Sequence, residues 1–224
     1  MADPIIHHAL IMAAGRGNRM RPFTDLIPKP MLPYRGDTLI GNSLKELKGC
    51  VDQVHITVGY KKAMLSEYLM TRGVDTLINT EGHNNAWWIK HTFMKYIDEP
   101  VLVLTTDNIT KIDMDFLGSE YQRLDCPSGM LVPVRPIKGI EGDYIFHEQG
   151  IVTEIARDKC SDIYCSGIQV LNPYQIAQDL PEDLEDFYSI WRGLIGIKQL
   201  KVSAVYPYTW FSVDTLEQAA GLDL

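Results

Sequence analysis

Residues 10–33 combine the backbone and the side chains that a phosphate-binding site requires. Gly15 and Gly17 follow an apolar run, and glycines let a backbone turn tightly with its N–H groups facing inward, which suits phosphate oxygens. Arg19 and Lys29 then add fixed positive charge. We predict a triphosphate cradle, whose backbone donors orient the anion while the two cations neutralise charge that develops during transfer. The alternative is an ordinary turn beside two solvated surface charges.

Asp107 is a candidate metal ligand because it lies at the carboxyl end of a predicted strand. Residues 101–106, VLVLTT, predict a short buried strand, and Asp107 comes directly after it. A carboxylate at this end of a central strand projects into the same crevice as the glycine turn. Mg²⁺ prefers oxygen ligands and is commonly shared between one or two carboxylates and substrate phosphates. We therefore expect Asp107 to bind Mg²⁺, whereas Asp113 and Asp115 are expected to be solvated or to cap a helix.

Residues 79–88, NTEGHNNAWW, are the other unusual segment, because they leave a predicted strand and enter a predicted helix. Such a segment lies at the carboxyl end of an open α/β sheet, where ligands bind. Asparagine side chains both donate to and accept from a base edge, so Asn84, Asn85 and the neighbouring Glu81 are candidate nucleotide contacts. The alternative is that Asn84 caps the helix and that the two tryptophans pack in the core.

The alternation of strand and helix patterns predicts an α/β protein. Right-handed crossovers between such elements produce a mostly parallel sheet, so we expect a Rossmann-like, three-layer αβα fold with a mixed central sheet. Three later strands are expected to form a small substrate-side β layer. The chain is expected to be one domain over residues 1–224, with a nucleotide-binding half at about 1–125 and an acceptor-binding half at about 126–224. Strands are predicted at 5–14, 53–58, 74–79, 101–106, 129–134, 143–147, 151–155 and 163–171, and helices at 38–50, 60–70 and 187–195.

Composition narrows the range of partners. The net charge of −8 argues against nonspecific binding to nucleic acid, which requires a basic face. The four cysteines show no paired spacing that would indicate a zinc site or a disulfide framework. No segment has the apolar length of a membrane span. We expect a soluble, cytoplasmic protein with reduced thiols and with neither nucleic acid nor a membrane as partner.

The run at residues 13–22, AAGRGNRMRP, and the Pro-Lys-Pro at 28–30 resemble the signature of the nucleotide-sugar pyrophosphorylases, a nucleotidyltransferase family. Asn18 stands where that family usually has Thr or Ser, and Met20 where it has Leu. The resemblance implies a GT-A-like nucleotidyltransferase fold. It also implies that the nucleotide is contacted by Ala13, Ala14, Gly15, Arg16, Gly17 and Asn18.

Further elements extend this resemblance into the second half of the chain. Asp107 matches the metal-binding aspartate of the family, and residues 210–215, WFSVDT, resemble a late W-x-D-V-G-T element, which implies Asp214 as the second metal ligand. An aspartate in this place is alternatively a helix N-cap. The resemblance also implies acceptor contacts from Gly142 with Asp143, and from Ser166 with Gly167 in a Ser-Gly-Ile element. The family's Glu-Lys-Pro is absent, and Arg157 in that region is the candidate phosphate contact.

The resemblance implies transfer of NMP from an NTP to a sugar 1-phosphate, with Mg²⁺ as cofactor and pyrophosphate as the second product. Arg19, Lys29, Asp107 and Asp214 are the expected catalytic residues. The acceptor phosphate needs no general base, because the second pKa of a phosphomonoester is about 6. The expected partners are an NTP and a small phosphorylated acceptor, and a homo-oligomer is left open.

Three alternatives remain at this point. The Asn-Asn pair is similar to that of phosphocholine cytidylyltransferases, which favours CTP with phosphocholine or a related amino-alcohol phosphate or phosphonate. The Ser-Gly-Ile and Trp-x-x-x-Asp elements favour the sugar phosphate. A Rossmann dehydrogenase is weakened by the missing third glycine. A catalytically silent nucleotide-binding domain is opposed by the presence of all four expected catalytic residues.

Overall fold

A computed structural model of the protein describes residues 5–137, 140, 142–215 and 218. The strands are β1 (His8–Met12), β2 (Pro33–Tyr34), β3 (Asp37–Thr38), β4 (Gln53–Val58), β5 (Thr76–Asn79), β6 (Val101–Thr105), β7 (Asn108–Lys111), β8 (Gly129–Val134), β9 (Tyr144–Glu148), β10 (Ile151–Ala156), β11 (Tyr164–Leu171), β12 (Leu200–Val202) and β13 (Thr209–Ser212). The helices are α1 (Phe23–Leu26), α2 (Leu39–Leu47), α3 (Lys62–Leu69), α4 (Trp87–His91), α5 (Met114–Arg123), α6 (Pro173–Asp179) and α7 (Phe187–Gly196).

One large mixed sheet organises the part of the chain that the structure describes. Its strand order is β5-β4-β1-β6-β11-β8-β12-β10-β9. The four strands from β5 to β6 are parallel, so their carboxyl ends meet at one edge, while β11 is antiparallel to both of its main neighbours, β6 and β8. The predicted α/β fold with a large mixed central sheet is therefore confirmed.

The core lies on both faces of this sheet. Successive residues of β1 alternate between the faces, with Ile11 in one apolar cluster and Leu10 in the other, and both are fully buried. Helices α2, α3 and α5 pack on the first face, and α4, α6 and α7 pack on the second. The result is the predicted three-layer αβα arrangement. None of the helices in the described ranges combines the length and the apolar character that crossing a membrane requires.

The strands expected to form a substrate-side layer lie elsewhere. Strands β9, β10 and β11 belong to the main sheet. Residues 169–171 of β11 pair with residues 101–103 of the central strand β6, and β10 and β9 form the far edge of the same sheet. Small separate sheets do exist, but they are formed by β7 with β13 and by β2 with β3. The period of a strand sequence predicts which face is buried, whereas it does not specify the partner strand.

Candidate active site

A cavity of about 690 Å³ opens at the carboxyl ends of the parallel strands. Met12 is the last residue of β1 and Thr105 is the last residue of β6. Both line the cavity, together with the glycine turn and the segment that follows β5. The predicted site residues that line it are Ala14, Gly15, Arg16, Gly17, Asn18, Arg19, Lys29, Glu81, Asn84, Asn85, Asp107 and Asp214. Ala13 is an exception among the predicted nucleotide contacts, since it is buried and its backbone N–H donates to Thr57 Oγ1.

The glycine turn is built around Gly17. Its φ is +61°, and a Cβ added there would lie 2.9 Å from the Cβ of Lys29, so both the conformation and the space require glycine. The Gly17 carbonyl accepts hydrogen bonds from Thr24 Oγ1 at 3.0 Å and from Met20 N at 2.9 Å. At Gly15, by contrast, a Cβ would meet nothing within 4 Å, so the backbone there is open to a ligand.

The four predicted catalytic residues lie together, with Lys29 between the two aspartates. Its side chain is largely buried, and its Nζ lies 3.1 Å from Asp107 Oδ2 and 2.9 Å from Asp214 Oδ1. Arg19 Nη2 lies 3.0 Å from the same oxygen of Asp214. Burial alone would raise the pKa of Asp214, but Lys29 and Arg19 outweigh it and hold that pKa below its usual range. The site therefore holds an ionised carboxylate beside two cations.

Asp107 and Asp214 meet because the small sheet of β7 and β13 joins the chain segments that carry them. Ser212 pairs with Asn108 in this sheet, and the Val213 N–H donates to the Asp107 carbonyl at 2.8 Å. Asp107 therefore lies one position and Asp214 two positions outside the ladder, at the same end of the two strands. This pairing explains how residues so far apart in sequence form one acidic pair.

The donor set fits Mg²⁺. Two carboxylates reach a single point, since both contact the same Lys29 ammonium, and Mg²⁺ is usually bound by one or two carboxylates together with substrate phosphates and water. Within the described residues there is no cluster of three or more His, Cys, Asp or Glu side chains that could enclose a metal ion. A metal held by these two carboxylates would complete its coordination sphere with oxygens of water or of a ligand.

Two of the residues predicted to contact the nucleotide, Glu81 and Asn85, already have protein partners. Glu81 is 2.8 Å from Lys62 Nζ, and the hydrogen bond and charge of Lys62 lower the pKa of Glu81. Asn85 Oδ1 accepts from the backbone N–H of Phe187 at 3.0 Å. Helix α4 has Ala86 at its N-cap and no side-chain cap, so the alternative role of Asn84 as that cap is wrong.

The two tryptophans differ from each other. Trp88 is buried, which confirms the core alternative for that residue. Trp87 is only half-buried and stacks between two histidines, with ring centroids 3.9 Å from His83 and 5.2 Å from His91. His83 also lines the cavity, so this stack of three rings begins at the nucleotide side.

The predicted acceptor contacts lie outside the lining of this cavity, and two of them, Asp143 and Arg157, bind each other. Asp143 is largely buried and accepts a hydrogen bond from Arg157 Nε at 2.5 Å and another from the Tyr188 hydroxyl. Burial and the contact with Asp143 raise the pKa of Tyr188 to about 12. Arg157 is thus partly neutralised by Asp143, which the sequence did not indicate. Tyr188 itself was missed, because its helical spacing predicts only a core aromatic residue.

Ser166 and Gly167 are held in place by Asn108, a residue that sequence reasoning missed. The Ser166 carbonyl accepts from Asn108 Nδ2 at 2.5 Å and from Trp210 Nε1 at 2.8 Å. Gly167 has φ +80°, and a Cβ there would overlap Asn108 Nδ2. The one available signal for Asn108 was its position directly after Asp107. At Gly142 a Cβ would lie 2.6 Å from the Tyr164 ring.

A known family matches more than half of the chain. The family described as the MobA-like NTP transferase domain matches residues 9–136. N-acetylmuramate alpha-1-phosphate uridylyltransferase of Neisseria meningitidis is 35% identical over 112 residues, which cover 47% of this chain and 48% of the relative. Bifunctional protein GlmU of Methanocaldococcus jannaschii is 29% identical over 114 residues, which cover 50% of this chain and 28% of the relative. The chain thus spans about half or less of the length of these curated relatives.

Solved structures share the fold over nearly the whole chain. UDP-glucose pyrophosphorylase in complex with UDP-glucose superposes with a TM-score of 0.74 at 18% identity and covers 95% of both chains. CTP:phosphocholine cytidylyltransferase from Streptococcus pneumoniae gives 0.73 at 19% identity, covering 95% of this chain and 96% of the other. At these identities the likeness shows the fold alone.

Proposed function

This chain belongs to the MobA-like NTP transferase domain family, and on that premise we propose that it transfers NMP from an NTP to a sugar 1-phosphate. The products are an NDP-sugar and pyrophosphate. The observation that carries the proposal is the contact of Lys29 with both Asp107 and Asp214 inside a cavity bordered by the glycine turn. This places positive charge, paired carboxylates and open backbone N–H groups around one point, which is what phosphoryl chemistry requires.

In the proposed reaction, a phosphate oxygen of the acceptor attacks the α-phosphorus of the NTP in line. A new P–O bond forms, the bond from the α-phosphorus to the bridging oxygen breaks, and that oxygen leaves with pyrophosphate. Arg19 and the amides of the turn hold the β- and γ-phosphates, and Lys29 stabilises charge at the α-phosphorus. The acceptor phosphate is largely ionised near neutral pH, since its second pKa is about 6, so the chain need not supply a base.

Asp107 and Asp214 would hold Mg²⁺, which supplies charge neutralisation at the phosphates when it is bound. The ammonium of Lys29, which contacts both carboxylates, lies at the same place and would contact the α-phosphate. The two carboxylates and the ammonium therefore serve the same step.

The sugar phosphate is preferred over phosphocholine as acceptor for two reasons. The relative with 35% identity is named as acting on a sugar 1-phosphate. The Ser-Gly-Ile and Trp-x-x-x-Asp elements also resemble those of the nucleotide-sugar pyrophosphorylases. Transfer of CMP to phosphocholine or a related amino-alcohol phosphate or phosphonate is the second candidate, favoured by the Asn84-Asn85 pair.

The wider expectations belong to the same proposal. We place the enzyme in the cytoplasm, where NTPs are available and where its four free cysteines would remain reduced. Residues 1–224 are proposed to act as one domain with a nucleotide-binding and an acceptor-binding half, and self-association is left to measurement.

A pyrophosphate-release screen tests the proposal. The four common NTPs are combined with sugar 1-phosphates and with phosphocholine, each with Mg²⁺ and with excess chelator. The expected result is Mg²⁺-dependent release that requires one base and one sugar 1-phosphate. Turnover only with phosphocholine would select the second candidate. Release that needs no acceptor, or no release from any pair, would contradict nucleotidyl transfer.

A further inference from the structure

Lys90 is a fully buried cation that the proposed reaction does not use. It lies in α4 with 0% exposure, and its Nζ donates to the carbonyls of Leu180 at 2.5 Å and Pro181 at 2.6 Å. Leu180 is the C-cap of α6, and carbonyls at a helix end lack intrahelical partners and attract cations. Burying an ammonium group is costly, whereas methionine would fill a similar volume without that cost. What Lys90 adds at this place is therefore its hydrogen bonds.

The segment held by Lys90 also supplies countercharge. Burial lowers the pKa of Lys90, and the charges of Glu182 and Asp183 oppose that effect. Both acids lie just beyond the two carbonyls that accept from the ammonium. The cation and the segment after α6 are thus matched in charge as well as in hydrogen bonding.

The same segment is attached to the nucleotide side at two further points. The Ala86 N–H donates to the Glu185 carbonyl at 2.8 Å, and the Phe187 N–H donates to Asn85 Oδ1 at 3.0 Å. Phe187 is the first residue of α7, and its N–H fixes the amide oxygen of Asn85 toward the helix. We refer to these contacts, with those of Lys90, as the latch between residues 85–90 and residues 180–187.

Helix α7 carries the effect of the latch to the acceptor side. Tyr188, one residue after the latch, donates its hydroxyl to Asp143, which also binds Arg157. One turn further along, Trp191 Nε1 donates to Gln169 Oε1 in β11 at 3.0 Å. A shift of the start of α7 would therefore move the hydroxyl that orients Asp143.

We propose that Lys90 is a positioning residue for acceptor binding, which acts by fixing residues 180–187 so that Tyr188 orients Asp143. This inference rests on the proposed function, in which Asp143 and Arg157 belong to the acceptor side. Lys90 itself does not line the nucleotide cavity. Loss of the Lys90 hydrogen bonds is expected to weaken acceptor binding strongly and to change nucleotide binding only slightly, through Asn85.

The test is Lys90→Met, measured in steady-state turnover with both substrates varied. We expect the KM for the acceptor to rise about tenfold, as for loss of a hydrogen bond to a charged group, with the KM for the NTP and kcat within about twofold of wild type. Backbone amide exchange at Phe187, measured without substrates, is expected to be faster. A variant that merely lost stability would show a smaller active fraction with both KM values unchanged.

Lys201→Met is the matched control. Lys201 also donates its Nζ to a backbone carbonyl, that of Leu124, but its neighbours Leu200 and Val202 face the core on the α7 side, so Lys201 points to the opposite face of the sheet. It is expected to lower thermal stability and to change neither KM. An equal rise of the acceptor KM in Lys90→Met and Lys201→Met would overturn the proposal.

Tyr188→Phe and the double variant complete the experiment. Tyr188→Phe removes one hydroxyl, and its acceptor KM is expected to rise, whereas an unchanged value overturns the proposal even where Lys90→Met does not fold. Since both residues act through Asp143, the effects of Lys90→Met and Tyr188→Phe should combine less than additively, and full additivity would contradict a shared route. If the wild type transfers no nucleotide, the proposed function fails, and unchanged amide exchange at Phe187 in Lys90→Met would separately refute the latch.

Discussion

The proposed nucleotide-binding half, at about residues 1–125, and the proposed acceptor-binding half, at about 126–224, assemble their polar residues in different ways. On the nucleotide side, Lys29 and Asp107 face one cavity at the carboxyl ends of parallel strands. On the acceptor side, Asp143 and Arg157 bind each other and Tyr188. The first arrangement presents charge to a ligand, while the second fixes charge within the protein. We infer that the residues lining the cavity, to which the second half contributes Asp214, provide the chemistry, and that Asp143, Arg157 and Tyr188 provide shape and orientation.

The largest expected difference between the two sides is the effect of removing Lys29. Lys29→Ala takes away the ammonium that contacts Asp107 and Asp214, and loss of one such electrostatic contact typically lowers kcat by about 10²–10³. The fold should persist, as judged by circular dichroism. Arg21→Ala is the control, because Arg21 is exposed and pairs with Asp25 at 3.3 Å. Comparable turnover in the two variants would remove Lys29 from the mechanism.

The second prediction concerns the pH dependence of stability in the nucleotide-binding half, which contains His55. His55 in β4 is buried, with Nε2 3.1 Å from His8 Nδ1. Burial and then His8 lower the pKa of His55 to about 4, while Asp75 opposes the shift. Because the folded pKa lies below the unfolded value of 6.5, neutral His55 contributes fully above about pH 6.5 and its contribution is lost as the pH falls toward about 4.

That loss amounts to about 3 kcal/mol at most. Urea denaturation at pH 7 and pH 4.5 measures it, and amide exchange should rise first in β1 and β4. In His55→Met the pH dependence should be much smaller. His147→Met, which changes an exposed histidine, should keep the wild-type dependence. Identical pH dependence in the wild type and in His55→Met would contradict the assignment.

The third prediction tests close packing on the acceptor side. Gly167→Ala places a methyl group at φ +80° against Asn108 and Thr105, whereas Gly150→Ala has a similar φ of +85° with its nearest neighbour at 3.7 Å. We expect a loss of about 1 kcal/mol in the free energy of unfolding for Gly150→Ala from the backbone alone. Gly167→Ala should lose about 1–2 kcal/mol more. Equal losses would mean that Asn108 does not restrict this position.

The smallest expected effect is that of Arg157→Gln. Because the charge of Arg157 is already paired with Asp143, we expect a rise of about fivefold in the acceptor KM, of the size of one exposed ion pair, and no change in the NTP KM. Lys159→Gln breaks a more exposed pair, with Glu154 at 2.5 Å, and should leave both KM values unchanged. A large fall in kcat for Arg157→Gln would instead assign that residue to the chemistry.

The same contrast explains what the sequence predicted. Gly17 and Lys29 lie on one continuous stretch, and Asp107 directly follows a strand, so local patterns are sufficient to place them. Tyr188 meets Asp143 across 45 positions, and Lys90 meets Leu180 across 90. Neither contact has a local signature, since helical spacing marks α7 only as apolar. Strand patterns likewise located β9 to β11 but did not specify their partner strands.

The most direct test of nucleotidyl transfer follows the oxygen atoms of the acceptor. A sugar 1-phosphate labelled with ¹⁸O in its phosphate group is incubated with the NTP, Mg²⁺ and the wild-type protein, and the products are analysed by mass spectrometry. Attack by the acceptor phosphate on the α-phosphorus predicts that all label appears in the NDP-sugar and none in pyrophosphate. Free NMP as the nucleotide product, or ¹⁸O label in the released pyrophosphate, would contradict the mechanism.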